Sequence, residues 1–425
     1  MNYNLSNCNI NFNGGNLSSD GGAILLYSFL NKFAHFNFIH QLPFHDLRKN
    51  PEFSNTDIFK QLIIRNILGY FNQDHQSLLL QDPLLSRWTS PCSQPTISRF
   101  FNRLSDQVNM DFKSHIIKLA CDYINQHIDE PILDVDSTKC ETGGKQEGAA
   151  KIHHYNTTGF HPLIINEFHS KLLVGIKLRT GKAYSSNGFI PEMDELLSYL
   201  NTGNKRIRLR GDSAFYNKEY MEYLENKNII YYFKVKGFSS VKNAIFNDMF
   251  DKNIDFQAYT QENPYINEIQ YTVGHSTKTR RVVYKIYGSM DKKQLELLPT
   301  IYCVITNDNT LSAEEVMKFY EARGNLENFT KELKDDFDGK RVSHSKFLKN
   351  EFEFLLSGLC YNIFHLFQMK ILENEDRKIR MNTFRNKYQK IAVRVSKHAR
   401  EITLSFSSAY PYQEKFLYYL NKIMS

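Results

Sequence analysis

Two kinds of hydrophobic spacing divide this chain near residue 125. Upstream, apolar residues recur at i, i+3, i+4 and i+7, the period of a helix with one buried face. "NTDIFKQLIIRNILGYF" carries that pattern, and "SSDGGAILLYSFLNKF" opens a helix after a Ser/Asp/Gly entry. In "SPCSQPTISRFFNRL" a Pro/Ser-rich turn precedes a short helix. Ile97, Phe100 and Leu104 face one way there, and Thr96, Ser98, Arg99, Asn102 and Arg103 the other. The polar side suits a groove of DNA; a capped structural helix is the competing reading.

From Pro131 the apolar residues alternate instead. Strands are predicted near 131–136, 163–168, 172–178, 206–211 and 229–235, with helices near 191–201 and 216–226. The order is β-β-β-α-β-α-β. Between Phe238 and Pro299 the pattern becomes irregular and strand-like, with "NEIQYTVGHS" and "TRRVVYKIYG" across a hairpin. "TIYCVITN" resumes the strands, Ser312 and Glu315 form a capping box, and "EFEFLLSGLCYNIFHLFQM" reads as a buried helix.

Candidate chemistry sits on these elements. "FYEARGNLENFTKELKDDF" places Tyr320, Arg323, Glu327, Lys331 and Lys334 within one broad helical stripe. One carboxylate among a phenol and three cations suits a metal ion beside phosphate; an exposed face of weak ion pairs is the alternative. Asp136 ends the strand after Pro131, and Asp212 follows the strand "RIRLRG". Strand ends are where open α/β sheets gather ligands, although a lone Asp there more often caps a turn. Asp134 faces the same way as Asp136 and rivals it. His153, His154 and His161 match no zinc spacing and read as loop or core residues.

Composition narrows the classes. The 425 residues suffice for two or three domains, and 14% aromatics favour a packed protein over disorder. Six scattered cysteines without a CxxC pair give no support to zinc or disulfides. No signal-peptide pattern and no apolar run of about 20 residues appears, so a cytoplasmic protein with no membrane span is expected. Net charge is +7, and Arg377 to Arg400 holds nine Lys or Arg and no acid. That run, with Arg385, Lys387 and Arg394 in it, is expected to meet phosphate backbone rather than remain a solvated face.

With its Asp in "DVDST", its Asp in "RLRGDSAF" and its Tyr-x2-Arg-x3-Glu-x6-Lys helix, the chain resembles the DDE transposases of bacterial insertion sequences. The cut-and-paste subgroup carries this four-residue signature, and the likeness is strongest from Pro131 to Phe367. It favours Asp136 over Asp134. The resemblance implies an α/β fold: a ribonuclease H-like core with a β-rich insertion, behind a helical N-terminal DNA-binding region. The expected domains are 1–125 (DNA-binding), 126–237 (core), 238–299 (insertion), 300–372 (core with the Glu helix) and 373–425 (basic C-terminal region). Asp136, Asp212 and Glu327 would ligate two Mg²⁺ or Mn²⁺ ions, while Tyr320, Arg323, Lys331 and Lys334 hold phosphates. The implied activity is cleavage of double-stranded DNA at element ends and joining to target DNA, by a homodimer in the DNA complex. A metal-dependent endonuclease of the same fold and a catalytically silent DNA-binding derivative are the alternatives. Relatives that form hairpins use an aromatic in the insertion; the one tryptophan here, Trp88, lies outside it, leaving Tyr259, Tyr265 or Phe256 as substitutes.

Overall fold

The computed structural model describes residues 11–33, 35–153, 155–203, 205–236, 239–274, 277–288, 298–399 and 401–425. His154 and Arg400 lie outside the described residues. The chain forms two compact units. One takes the residues up to Phe112 with Asp335–Asp338 and Leu359–Ser425; the other takes Lys113–Lys334 and Gly339–Gly358.

The second unit is built on an eight-stranded mixed sheet. In chain order its strands are β1 (Ile132–Ser137), β2 (Leu163–Glu167), β3 (Leu173–Lys177), β4 (Arg208–Gly211), β5 (Ile230–Lys234), β6 (Tyr265–Thr272), β7 (Thr279–Tyr287) and β8 (Thr300–Thr306). In space they run β6-β7-β8-β5-β4-β1-β2-β3. Only the central pairs β1–β4 and β4–β5 are parallel. Helices α1 (Phe189–Tyr199) and α2 (Lys218–Asn226) connect the strands around β4, and α1 and α2 each lie within two residues of the predicted helices. β1 and β4 are buried along nearly their whole length, as expected for the centre of a sheet covered on both faces.

The described residues of the 238–299 stretch join the main sheet. Its hairpin, β6 and β7, pairs onto β8 and extends the main sheet. β7 is buried at Val282, Val283, Tyr284 and Ile286, whereas β6 alternates toward solvent as an edge strand does. Val283 packs with Tyr232, Val304, Val316, Met317 and Tyr320, so the hairpin shares a core with the helix that carries the signature tyrosine. The stretch also contains a helix, Ser239–Asp251, that irregular spacing concealed. A small antiparallel sheet, Cys140–Glu141, Ala150–Ile152 and Thr157–Phe160, is not legible in the sequence because its strands are only two to four residues long.

The first unit holds the helices Ile24–Lys32, Asn55–Leu68 and Gln94–Phe100 and a sheet of Leu17–Ser18, Val393–His398 and Glu401–Phe406. The helix at Asn55 is opened by a capping box of Ser54 and Asp57 and closed by Gly69 in the left-handed conformation. Trp88 stacks on Tyr27 with ring centroids 4.9 Å apart and packs against the cluster of Leu84, Val393 and Val395. Among the described residues, no helix is long and apolar enough to cross a membrane.

Candidate active site

The register of two strands brings the two aspartates together. β1 and β4 pair in parallel with Asp134 opposite Arg210 and Val135 opposite Gly211. The next residue on each strand is an aspartate, so Asp136 and Asp212 lie side by side where the β1–β4 pairing ends, Asp136 still paired with Ile164 of β2 on its other side. A Cβ at residue 211 would stand 2.9 Å from the Phe233 ring, which is why glycine precedes Asp212. Asp212 then turns the chain, accepting a hydrogen bond from the Ala214 amide at 2.8 Å. Both carboxylates line a cavity of about 510 Å³.

Asp134 has another role. It is fully buried and takes a two-pronged ion pair from Arg210, Nε to Oδ1 and Nη2 to Oδ2, each 2.7 Å. Arg210 also donates to the Phe319 carbonyl at 2.7 Å and lies over the rings of Phe168 and Phe319. Each of the three nitrogens of this guanidinium thus makes a hydrogen bond inside the fold.

The signature helix is broken. α3 (Ala313–Glu321) ends in a short 3-10 turn, Ala322–Gly324, before α4 (Asn325–Asp336) begins. The predicted capping box of Ser312 and Glu315 opens α3. Despite the break, three signature side chains reach the aspartate-bearing strand ends. Tyr320 is buried and donates its hydroxyl to the Gly211 carbonyl at 3.0 Å. Arg323 donates to the Val135 carbonyl at 3.0 Å and stands 3.3 Å from Asp136 Oδ1. Lys334 donates to Thr138 Oγ1 at 3.1 Å. Glu327 and Lys331 lie on exposed positions of α4 between them.

The site is electrostatically loaded. Burial raises the Asp136 carboxyl above the usual range; Arg323 opposes that rise and Asp212 adds to it. Tyr155, on the cavity wall, is raised first by burial and then by the negative field of Asp136 and Asp212. Two neighbouring carboxylates on an open cavity are a donor set that suits a hard divalent cation. Among the described residues, however, no three His, Cys, Asp or Glu side chains gather closely enough to form a finished metal cage.

Part of the cavity wall carries no strong signal in the sequence. The loop after β3, "RTGKAYSSNG", holds Arg179, a buried guanidinium that donates to the carbonyls of His161, Tyr184, Ser185 and Asn187 and to Ser137 Oγ. Ser137 donates onward to the Ser185 carbonyl, His161 Nδ1 to the Ala183 carbonyl at 2.9 Å, and Tyr220 to the Ser186 carbonyl at 3.1 Å. The loop is therefore fixed from four sides, next to Asp136. Its one sequence signal is a polar Gly/Ser/Asn run containing a lysine and a tyrosine directly after a strand. His153 and His161 also line the cavity.

The other expected contacts are not among the residues that line this cavity. Tyr259 and Tyr265 pack on each other at 5.3 Å, and neither they nor Phe256 line it. Arg99 and Asn102 are exposed at the Gln94–Phe100 helix and just beyond it. Much of the basic run is engaged internally. Arg385 is buried, donating to the carbonyls of Asn66, Ile67 and Asp336, so it does not present its charge at a surface. Lys387 pairs with Asp376 at 2.6 Å, and Lys390 with Asp20 at 2.6 Å. Arg394 and Lys397 remain exposed on the strand Val393–His398.

A family model described as transposase DDE domain group 1 matches residues 3–425. No curated protein matches the chain. Among solved structures, the chain is similar to the piggyBac transposase in a cryo-EM structure of its synaptic complex with hairpin DNA, at 12% identity and a TM-score of 0.45, over 86% of this chain and 79% of that one.

Proposed function

This chain belongs to the transposase DDE domain family, group 1, and from that membership we propose that it cleaves double-stranded DNA at the ends of a mobile element and joins them to target DNA. The observation that carries the reading is the emergence of Asp136 and Asp212 side by side from β1 and β4, with Arg323 against Asp136. The fold proposed for the catalytic part is ribonuclease H-like, and the element is of the cut-and-paste insertion-sequence type. The protein would act as a homodimer on DNA in the bacterial cytoplasm.

Asp136 and Asp212, completed by Glu327 from α4, would hold two Mg²⁺ or Mn²⁺ ions. Such ions, when bound, activate an attacking oxygen and stabilise a leaving one in an in-line displacement. The chain's own residues do the placing. Tyr320, whose hydroxyl is spent on the Gly211 carbonyl, fixes the turn that presents Asp212 instead of touching phosphate. Arg323 orients Asp136 and supplies positive charge at the strand ends. Lys331 and Lys334, one turn apart on α4, offer point charges to the phosphates flanking the cut.

The test is a cleavage assay with Mg²⁺ or Mn²⁺ on DNA carrying the element's ends, beside a gel shift. Asp136→Asn, Asp212→Asn and Glu327→Gln should each lower cutting by more than about a hundredfold while retaining binding, since losing a ligand removes the metal chemistry but not the phosphate contacts. Near-normal cutting by any one variant removes that residue from the set. Cutting without joined product would make the protein an endonuclease.

A further inference from the structure

The cavity beside the aspartates has a second wall whose chemistry the two carboxylates do not explain. Lys182 and Tyr184 project from the loop that Arg179 clamps, and Lys236 comes from the end of β5 to meet them. Lys236 Nζ donates to the Tyr184 hydroxyl at 2.6 Å and lies 5.2 Å from the Tyr184 ring centroid. Tyr184 is nonetheless 50% exposed, far more than the other large rings near the site. An exposed aromatic is usually mobile; this one stands on a backbone whose carbonyls are held at Ala183, Tyr184, Ser185, Ser186 and Asn187. A fixed ring with one ammonium group on it and a second lysine on the same wall, sharing a cavity of about 510 Å³ with two carboxylates, matches one nucleotide in kind. The base has a face for the ring, and the phosphate has a negative charge for the lysines.

We propose that Tyr184, Lys182 and Lys236 form a subsite for the nucleotide adjoining the scissile phosphate: the base stacks on Tyr184, and Lys182 and Lys236 neutralise the neighbouring phosphate. Arg179 is the positioning residue, since it acts only through the loop it clamps. The inference rests on the proposed DNA-cleaving function, and deepens it by saying where the substrate strand lies. Because stacking accepts any base, the subsite reads no sequence. It takes a nucleotide out of the duplex, because a base inside a duplex has both faces covered by its stacked neighbours.

The experiment uses the full-length protein and two eight-residue single strands of equal charge, oligothymidylate and the same backbone without bases. Dissociation constants are measured by anisotropy in Ca²⁺ at several salt concentrations. The wild-type protein should prefer the based strand by about tenfold. Tyr184→Ala should abolish that preference and Tyr184→Phe should keep it. Lys182→Gln should weaken both strands and lower the salt slope by about 0.7, the increment for one neutralised phosphate of a single strand. A Tyr184→Ala protein that still prefers bases, or a Tyr184→Phe protein as impaired as Tyr184→Ala, overturns the stacking subsite. An unchanged slope in Lys182→Gln overturns its phosphate contact. The two levels are separable: a wild-type protein that cuts no DNA rejects the function, whereas normal cutting with no Tyr184 effect rejects the subsite alone.

Discussion

Asp134 and Asp136 are two residues apart on one face of one strand, yet they do opposite work. Asp134 is sealed under the sheet with Arg210, its partner across the β1–β4 ladder. Asp136 opens onto the cavity. Removing one member of a buried ion pair strands the other charge away from water, at a cost of about 3–5 kcal/mol. Asp134→Asn should therefore lower unfolding stability by that order, and Arg210→Gln likewise. Asp136→Asn should cost clearly less, because its side chain is 29% exposed and opens onto the cavity instead of being sealed in a two-pronged ion pair. Denaturation in guanidinium separates the two; equal losses at Asp134 and Asp136 would contradict the assignment. Alternation in the sequence made both aspartates candidates and placed them on a shared face. It did not reveal their division of labour, because that depends on Arg210, 76 residues away in the chain. The local clues were the expected position of Asp136 at the strand end and the Ser-Thr that follows it.

At the scale of elements, the strands carrying the aspartates were readable to within two residues, since a central strand is apolar enough to stand out from its flanks. The attachment of the β6–β7 hairpin was not readable. Sequence spacing identifies a hairpin, but which strand it pairs with depends on hydrogen bonds to β8 that leave no local signature. The same limit applies to the basic run. Nine cations without an acid resembled a DNA-binding surface, but acids elsewhere in the chain meet several of them: Asp336 takes Arg380, Asp376 takes Lys387 and Asp20 takes Lys390. Only cations still facing water can displace counterions from DNA. Reversing Arg394 and Lys397 together should lower the slope of log affinity against log salt by about 0.9 for each phosphate they no longer neutralise. Arg385→Glu should act differently, unfolding the protein's first unit by burying a carboxylate against three carbonyls. A folded, soluble Arg385→Glu protein with a flattened slope would return Arg385 to the DNA-binding surface.

The two units of the whole molecule should respond differently to acid. In the first unit His35 is buried among Phe29 and Phe33, and burial, assisted by Lys370, lowers its pKa from 6.5 to about 4. A histidine held neutral in the fold takes up its proton more readily when unfolded. Its stabilising contribution is present above about pH 6.5 and is lost as pH falls toward 4. Between pH 7 and pH 5 that amounts to about 2 kcal/mol. The depressed carboxylates follow another window. Burial opposes ionisation of Asp376 in the first unit, but hydrogen bonds from Lys387, Tyr388, Lys415 and Tyr419 outweigh it and hold the carboxyl far below the usual range. Glu225 and Asp308 in the second unit are lowered in the same sense, against burial, by Arg280 and Thr310 foremost. Stability from depressed carboxylates is lost only as pH falls below their unfolded values, 4.5 for Glu225 and 3.8 for Asp308. At pH 5 the histidine therefore weakens the first unit, whereas the raised carboxyl of Asp136 in the second unit takes up its proton more readily when folded and costs that unit no stability as pH falls. Hydrogen exchange, corrected for intrinsic rates, should show amides of the Ile24–Lys32 helix losing about thirtyfold protection from pH 7 to pH 5, the equivalent of about 2 kcal/mol, while β1 and β4 keep theirs. In His35→Leu the first unit should no longer lose protection over that range. A His35→Leu protein that keeps the full pH dependence would show that another group carries it.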